Sequence, residues 1–144
     1  MNEIIIIGSG LAGPLLAILL SQSKSCITLF EKRKDIRKNI MSAGRSINLA
    51  LSHRGIKALK EANIFNEIEK ELIPMKGRMI HDLKGNTNFQ PYSIHSNEYI
   101  NSVSRAKLNE ILLNKAEETG NVNVNFEHSL IKIDANNLIF DNDV

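Results

Sequence analysis

Three glycines and one acid carry the first chemistry legible in this chain. Gly8, Gly10 and Gly13 stand in the spacing Gly-x-Gly-x-x-Gly, with Leu11 and Ala12 between the last two. Glu31 follows at the distance of about 20 residues that such a loop requires of its acidic partner. In a loop of this kind the first glycine permits a tight turn and the second admits a pyrophosphate against the backbone. The third lets a helix close on a strand. A helix opening there aims free N–H groups and the positive end of its dipole at phosphate oxygens. A carboxylate at the end of the next strand accepts hydrogen bonds from an adenosine ribose. The chemistry is dinucleotide binding.

The loop needs a strand before it, a helix after it and a second strand that ends on the acid. Ile4-Ile5-Ile6-Ile7 reads as a buried parallel strand entering the turn. An apolar helix follows to Leu20, with Ala17 and Leu20 on one face, small then large, as packing on a sheet demands. Ile27-Thr28-Leu29-Phe30 ends on Glu31, so residues 1–33 form a βαβ unit. Residues 4–23 carry no charge, and a membrane span or signal peptide is the competing explanation. Glu3 in place of a basic flank, the Gly-Ser-Gly interruption and the acid at Glu31 argue against it.

The bulk numbers exclude other classes. A chain of 144 residues with 42% apolar and 24% charged residues has the composition of one soluble globular domain. Its net charge of +2 is too small to imply nucleic acid, and no basic stripe with interleaved aromatics occurs. Lys32 to Lys38 is the densest basic stretch, and it reads either as a solvated loop or as a contact to the adenosine side of a cofactor. Cys26 opens an apolar strand and is expected to pack rather than react. His53, His81, His95 and His128 show no metal-ligand spacing, and His53 and His81 read as structural. No metal site is expected, and a reducing, cytoplasmic compartment fits best.

Further along, the stretch to Ala43 reads as a loop or irregular helix, and Ile47–Leu51 as a short strand. Ser52 is placed to cap a helix through about Ala62, whose period continues through Ile64 and Ile68 until Pro74 closes it. Gly77–Leu83 and Thr87–Tyr92 form an expected hairpin across Lys84-Gly85-Asn86, and Tyr99–Val103 a further strand. Ser104 caps a helix carrying Leu108, Ile111 and Leu112, with Gly120 at its stop. Val122–Phe126 alternates and should rejoin the parallel sheet as its third strand. Ser129–Ile133 and Leu138–Phe140 pair across Asn136-Asn137. The architecture is α/β, a nucleotide-binding domain with an insertion.

More specific words lie outside the glycine loop. They are Gly44-Arg45-Ser46-Ile47-Asn48-Leu49-Ala50-Leu51-Ser52-His53-Arg54-Gly55 and Pro74-Met75-Lys76-Gly77-Arg78-Met79-Ile80-His81. Gln90-Pro91-Tyr92 and Ser102-Val103-Ser104-Arg105 with Leu108-Asn109 follow them. Through these words the chain resembles, along essentially its whole length, the kynurenine 3-monooxygenase family of flavin-dependent aromatic hydroxylases. The resemblance implies a Rossmann-like FAD-binding domain in which inserted strands at about 74–103 contribute to the substrate pocket. It implies FAD as bound cofactor, NADPH as transient reductant, and L-kynurenine and molecular oxygen as substrates. The flavin itself supplies the oxidising chemistry, so no residue here is expected to be a catalytic acid or nucleophile.

By the same resemblance, Gly8, Gly10, Leu11, Ala12, Gly13, Phe30, Glu31, Lys32, Arg33, Ala50, Arg105 and Leu130 fall on cofactor contacts. Arg78 and Tyr92 fall on contacts to the substrate carboxylate. An arginine fork suits a carboxylate, and a tyrosine adds a hydroxyl and a ring wall. Without the resemblance, Arg78 reads as a surface arginine on a strand and Tyr92 as a hairpin packing residue. The family often has glycine where this chain has Ser23-Lys24-Ser25, and Ser93–Glu98 is about one residue longer than its common form. The chain is expected to be an incomplete, truncated domain, the N-terminal third of such an enzyme and inactive alone, because the later Gly-Asp flavin segment is missing from it. The competing class is another FAD or NAD(P) oxidoreductase, or a non-enzymatic nucleotide-binding remnant. A two-dinucleotide reductase would carry a second Gly-x-Gly-x-x-Gly, and the chain has none.

Overall fold

The computed structural model describes residues 3–23, 25–38, 47–95, 98–135 and 137–141. The expected loop through Ala43, the Gly44–Ser46 start of its motif, and Asn136 lie partly or wholly outside them. The chain divides into two compact units, Met1–Ser46 with Ala106–Val144, and Ile47–Arg105.

The first unit opens with β1 (Glu3–Ile7), α1 (Ala12–Ser21) and β2 (Cys26–Glu31). β1 and β2 are parallel, with Ile4 opposite Ile27 and Ile7 opposite Phe30. Alternation along β2 buries Ile27, Leu29 and Glu31 and turns Cys26, Thr28 and Phe30 the other way. Ile27 and Leu29 are fully enclosed, each worth roughly 1.5–3 kcal/mol by burial. The same alternation corrects the expectation for Cys26, which is exposed because it falls out of phase with the apolar pair. On α1 the covered face is Pro14, Ala17 and Ile18. Ile18, four residues after Pro14, takes the place expected for Leu20.

In the second unit, β3 (Asn48–Leu51) leads to α2 (His53–Glu61) and α3 (Phe65–Glu69). Ser52 sits at the N-cap of α2, but its side chain makes no capping bond. The expected single helical run is broken at Asn63, whose φ of 57° is left-handed. Pro74 does not end a helix. It lies in β4 (Ile73–Met75), which among the described residues pairs with β7 (Ile100–Ser104) alone, the edge position where a missing N–H is tolerated. β3 and β4 flank β7 in an antiparallel sheet.

The hairpin is formed by β5 (Gly77–His81) and β6 (Thr87–Pro91), with Arg78 opposite Gln90. Its turn is tied by Asp82, whose Oδ1 accepts from the N–H groups of Lys84 and Asn86, both at 2.8 Å. Both strands end one or two residues sooner than expected, and Leu83 stands fully exposed in the turn.

The chain then continues through α4 (Arg105–Glu118) and β8 (Val122–Phe126), which pairs parallel to β2 as the third strand of the first sheet. Gly120, with φ of +80°, ends the helix as expected. β9 (Leu130–Asp134) and β10 (Asn137–Phe140) close the described chain as a hairpin that turns at Ala135, φ 51°. The sheet order β1-β2-β8 leaves β1 at one edge, with Ile5 and Ile7 about half exposed. Among the described residues no helix is long and apolar enough to cross a membrane, and no cluster of three metal-ligating side chains occurs.

Candidate functional site

The site is built where β1 ends. Gly8 has φ of +102°, which favours glycine, and its N–H donates to the carbonyl of Phe30 at 2.7 Å. A Cβ at Gly13 would strike the Gly8 carbonyl oxygen, so the first helical turn packs directly on the turn of the loop. Gly10 differs. Its backbone is not left-handed, and a Cβ there would meet nothing within 4 Å. Among the described residues, no atom beyond its chain neighbours requires glycine at position 10. The N-cap of α1 is Leu11, with no side-chain capping bond and no acid in the first turn, and an uncapped helix start of this kind favours an anion. An open depression lined by Ile6, Ile7, Gly8, Gly10, Leu11, Ala12, Gly13 and Leu16 lies alongside.

Glu31 reaches this loop from the end of β2 and is 4% exposed. Its Oε2 accepts from the Ser9 N–H at 2.8 Å and from Ser9 Oγ at 3.1 Å. Its Oε1 accepts from the Arg33 backbone N–H at 3.0 Å and from Arg33 Nε at 2.7 Å, while Arg33 Nη2 donates to Oε2 at 3.2 Å. Burial alone would push this carboxyl up. Hydrogen bonds from Arg33 and Ser9, with the charge on Arg33, outweigh it and hold the pKa at about 2.

A pKa held below the ordinary 4.5 means that the fold favours the ionised form. The stability contributed by this carboxylate is whole above pH of about 4.5 and is lost as pH falls toward about 2. The stability gap between the parent and Glu31→Gln, measured by urea unfolding, should therefore be constant near neutrality and shrink over that window. A gap independent of pH would contradict the assignment.

The structure distributes the expected contacts between the two units. Gly8, Gly10, Leu11, Ala12, Gly13, Phe30, Glu31, Lys32, Arg33 and Leu130 belong to the first. Lys32 is exposed and Leu130 half-buried. Phe30 packs on Phe140 at 4.4 Å and on His128 at 5.6 Å between ring centroids, and the His128 N–H donates to the Glu31 carbonyl at 3.0 Å. Ala50, Arg78, Tyr92 and Arg105 belong to the second unit, and all four are exposed within the described chain. Arg78 Nε donates to Gln90 Oε1 at 2.8 Å, its partner across the hairpin. His53 and His81 are exposed.

Sequence reasoning missed three participants. Ser9 lies between two glycines with nothing in its type to single it out, and His128 gives no local signal. Asn109 had one: it is the single polar residue among the buried Leu108, Leu112, Leu113 and Ala116 of α4. The basic stretch also proved more structured than a solvated loop. Arg37 bonds Asp35, Asn114 and Glu117 and lies 5.6 Å over the Phe126 ring.

Comparison with known proteins agrees with this geometry. The family model described as FAD binding domain matches residues 1–138. A kynurenine 3-monooxygenase of Legionella pneumophila (strain Corby) is 47% identical over 137 residues, covering 95% of this chain and 30% of that protein. Those of Cytophaga hutchinsonii and Sus scrofa are 50% and 44% identical, over 89% and 91% of this chain and 28% of each of theirs. The chain thus spans about 30% of the length of the curated relatives it matches. Among solved structures, the tetrameric form of 2-methyl-3-hydroxypyridine-5-carboxylic acid oxygenase aligns with a TM-score of 0.79 at 18% identity, over 100% of this chain and 36% of that one. p-Nitrophenol 4-monooxygenase of Pseudomonas putida aligns at 0.72 and 14%, over 94% and 35%. At these identities the structures share the fold.

Proposed function

The chain belongs to the FAD binding domain family, and from that premise we propose that it is the FAD-holding portion of an NADPH-consuming enzyme that hydroxylates L-kynurenine to 3-hydroxykynurenine. The sustained identity to kynurenine 3-monooxygenases along nearly the whole chain carries the choice of substrate. When bound, the flavin activates molecular oxygen with electrons from NADPH. The residues of this chain bind and orient. Residues 1–33 supply the dinucleotide motif, and the strands at about 74–103 supply part of the substrate pocket. The lone cysteine supports a reducing, cytoplasmic setting.

The open face of Gly10, the uncapped start of α1 and the close packing at Gly13 support a diphosphate at the loop. Glu31 takes the adenosine ribose. Its Ser9 bonds are buried, whereas the Arg33 side chain is 57% exposed, so the ribose diol replaces Arg33 donors rather than those of Ser9. In the first unit Leu11, Ala12, Phe30, Lys32 and Leu130 are further proposed cofactor contacts; in the second, Ala50 and Arg105 are proposed cofactor contacts and Arg78 with Tyr92 the proposed contacts to the kynurenine carboxylate.

FAD titration of the full-length protein tests this reading. Glu31→Ala should weaken FAD by about 1.5–3 kcal/mol, the scale of a hydrogen bond to a charged group. Unchanged affinity, or NADPH oxidation that ignores kynurenine, would sink it.

A further inference from the structure

We propose that Asn109 is a positioning residue for the cofactor diphosphate, acting through the single peptide that joins Ser9 to Gly10. The proposal rests on the FAD reading above. Ser9 is 2% exposed and held from two sides by residues far away in the chain. On one side its N–H donates to Glu31 at 2.8 Å. On the other its carbonyl oxygen accepts from Asn109 Nδ2, also at 2.8 Å, from a residue 100 positions later.

A trans peptide points its C=O and its N–H in opposite directions. The carbonyl of Ser9 and the N–H of Gly10 share one such plane. Drawing that carbonyl inward to Asn109 turns the Gly10 N–H away from α4, and a Cβ on Gly10 would meet nothing within 4 Å beyond its chain neighbours among the described residues. Asn109 thereby sets the direction of a donor that a phosphate oxygen takes.

The choice of residue supports this role. Asn109 is 7% exposed in a stripe that is otherwise leucine and alanine. A leucine there would bury more apolar surface and need no partner, whereas a buried amide is costly unless it is bonded. The amide is explained by the orientation it imposes.

The test uses Asn109→Leu, which keeps the branched outline but has no polar atoms, and Asn109→Asp, which keeps the shape but has no donor when ionised. Binding of FAD and ADP, which carry the diphosphate, should fall about tenfold in either variant, equivalent to about 1.4 kcal/mol. Binding of adenosine, which lacks it, should hold at the parent level. In the cofactor-free protein, hydrogen exchange at the Gly10–Gly13 amides should quicken, while that of Leu29 and Val124 stays as in the parent. Parent-like ADP binding in a folded variant overturns the proposal. So does adenosine binding that falls in step with ADP, or exchange that quickens throughout the first unit. If Asn109→Leu does not fold, the same measurements on Asn109→Asp decide. A parent that binds no FAD refutes the function proposed above instead, and the exchange comparison still reports whether Asn109 orients the loop.

Discussion

Replacing Arg78 with alanine in the full-length protein is expected to weaken kynurenine binding by about 2–5 kcal/mol, the cost of leaving a desolvated carboxylate without its partner. The strand geometry is compatible with this proposed role. Arg78 and Gln90 face each other across the hairpin, and Gln90 holds Nε. The two Nη groups present the fork that a carboxylate takes in a bidentate pair. Tyr92 follows directly on β6, and its N–H donates to the Lys76 carbonyl at 3.0 Å, which fixes where its ring begins. Kynurenine and its decarboxylated analogue separate the contributions. The parent should prefer kynurenine strongly, and Arg78→Ala should bind the two almost equally. A variant that still discriminates between them would move the carboxylate contact to another residue.

The second large effect is expected at Gly13. Gly13→Ala should destabilise the fold by about 3 kcal/mol, the upper end for overpacking, because the atom its Cβ meets is backbone and cannot rotate away. Relief requires α1 to lift from the sheet, which uncovers Ala17 and Ile18. The same movement displaces the Gly8 turn, so FAD affinity falls with stability. Gly10→Ala is the matched comparison. Its Cβ meets nothing, so stability should match or slightly exceed the parent, by about 0.4–1 kcal/mol from the stiffer unfolded chain. FAD should nevertheless be lost, because the methyl group would stand where the diphosphate is proposed to lie. Chemical denaturation and FAD titration of both variants check the pair. Equal effects on folding would show that the two glycines do not have separate roles.

The first βαβ unit was legible because each of its signals is local. A β-branched run, glycines at fixed spacing and an acid at strand's end depend on neighbours within a turn or a pleat, and so does the alternation of β8. The hairpin of β5 and β6 was legible for the same reason, since Asp82 and Gly85 make their turn with residues two to four positions away. Pro74 was misread because a proline announces only that it cannot donate. Whether it ends a helix or sits at a sheet edge depends on the pairing of β4 with β7, some 27 residues apart in Pro74 and Asn101.

Cys26 shows the same limit at closer range. Its strand was foreseen, but its exposure followed from the phase of the pleat, which packing of Ile27 and Leu29 decides. The sequence by itself determined the loop, the acid that answers it and the order of strands around them. Only the tertiary structure decided what holds the loop in shape. Glu31 and Asn109 meet Ser9 across 22 and 100 residues, and neither separation has a period that a local pattern can carry. Those bonds exist because β2 pairs with β1 in one register and α4 turns one polar side chain inward among its leucines. Register and helix rotation are set by the packing of the whole first unit, so the residues that orient the site became visible only once that packing was known.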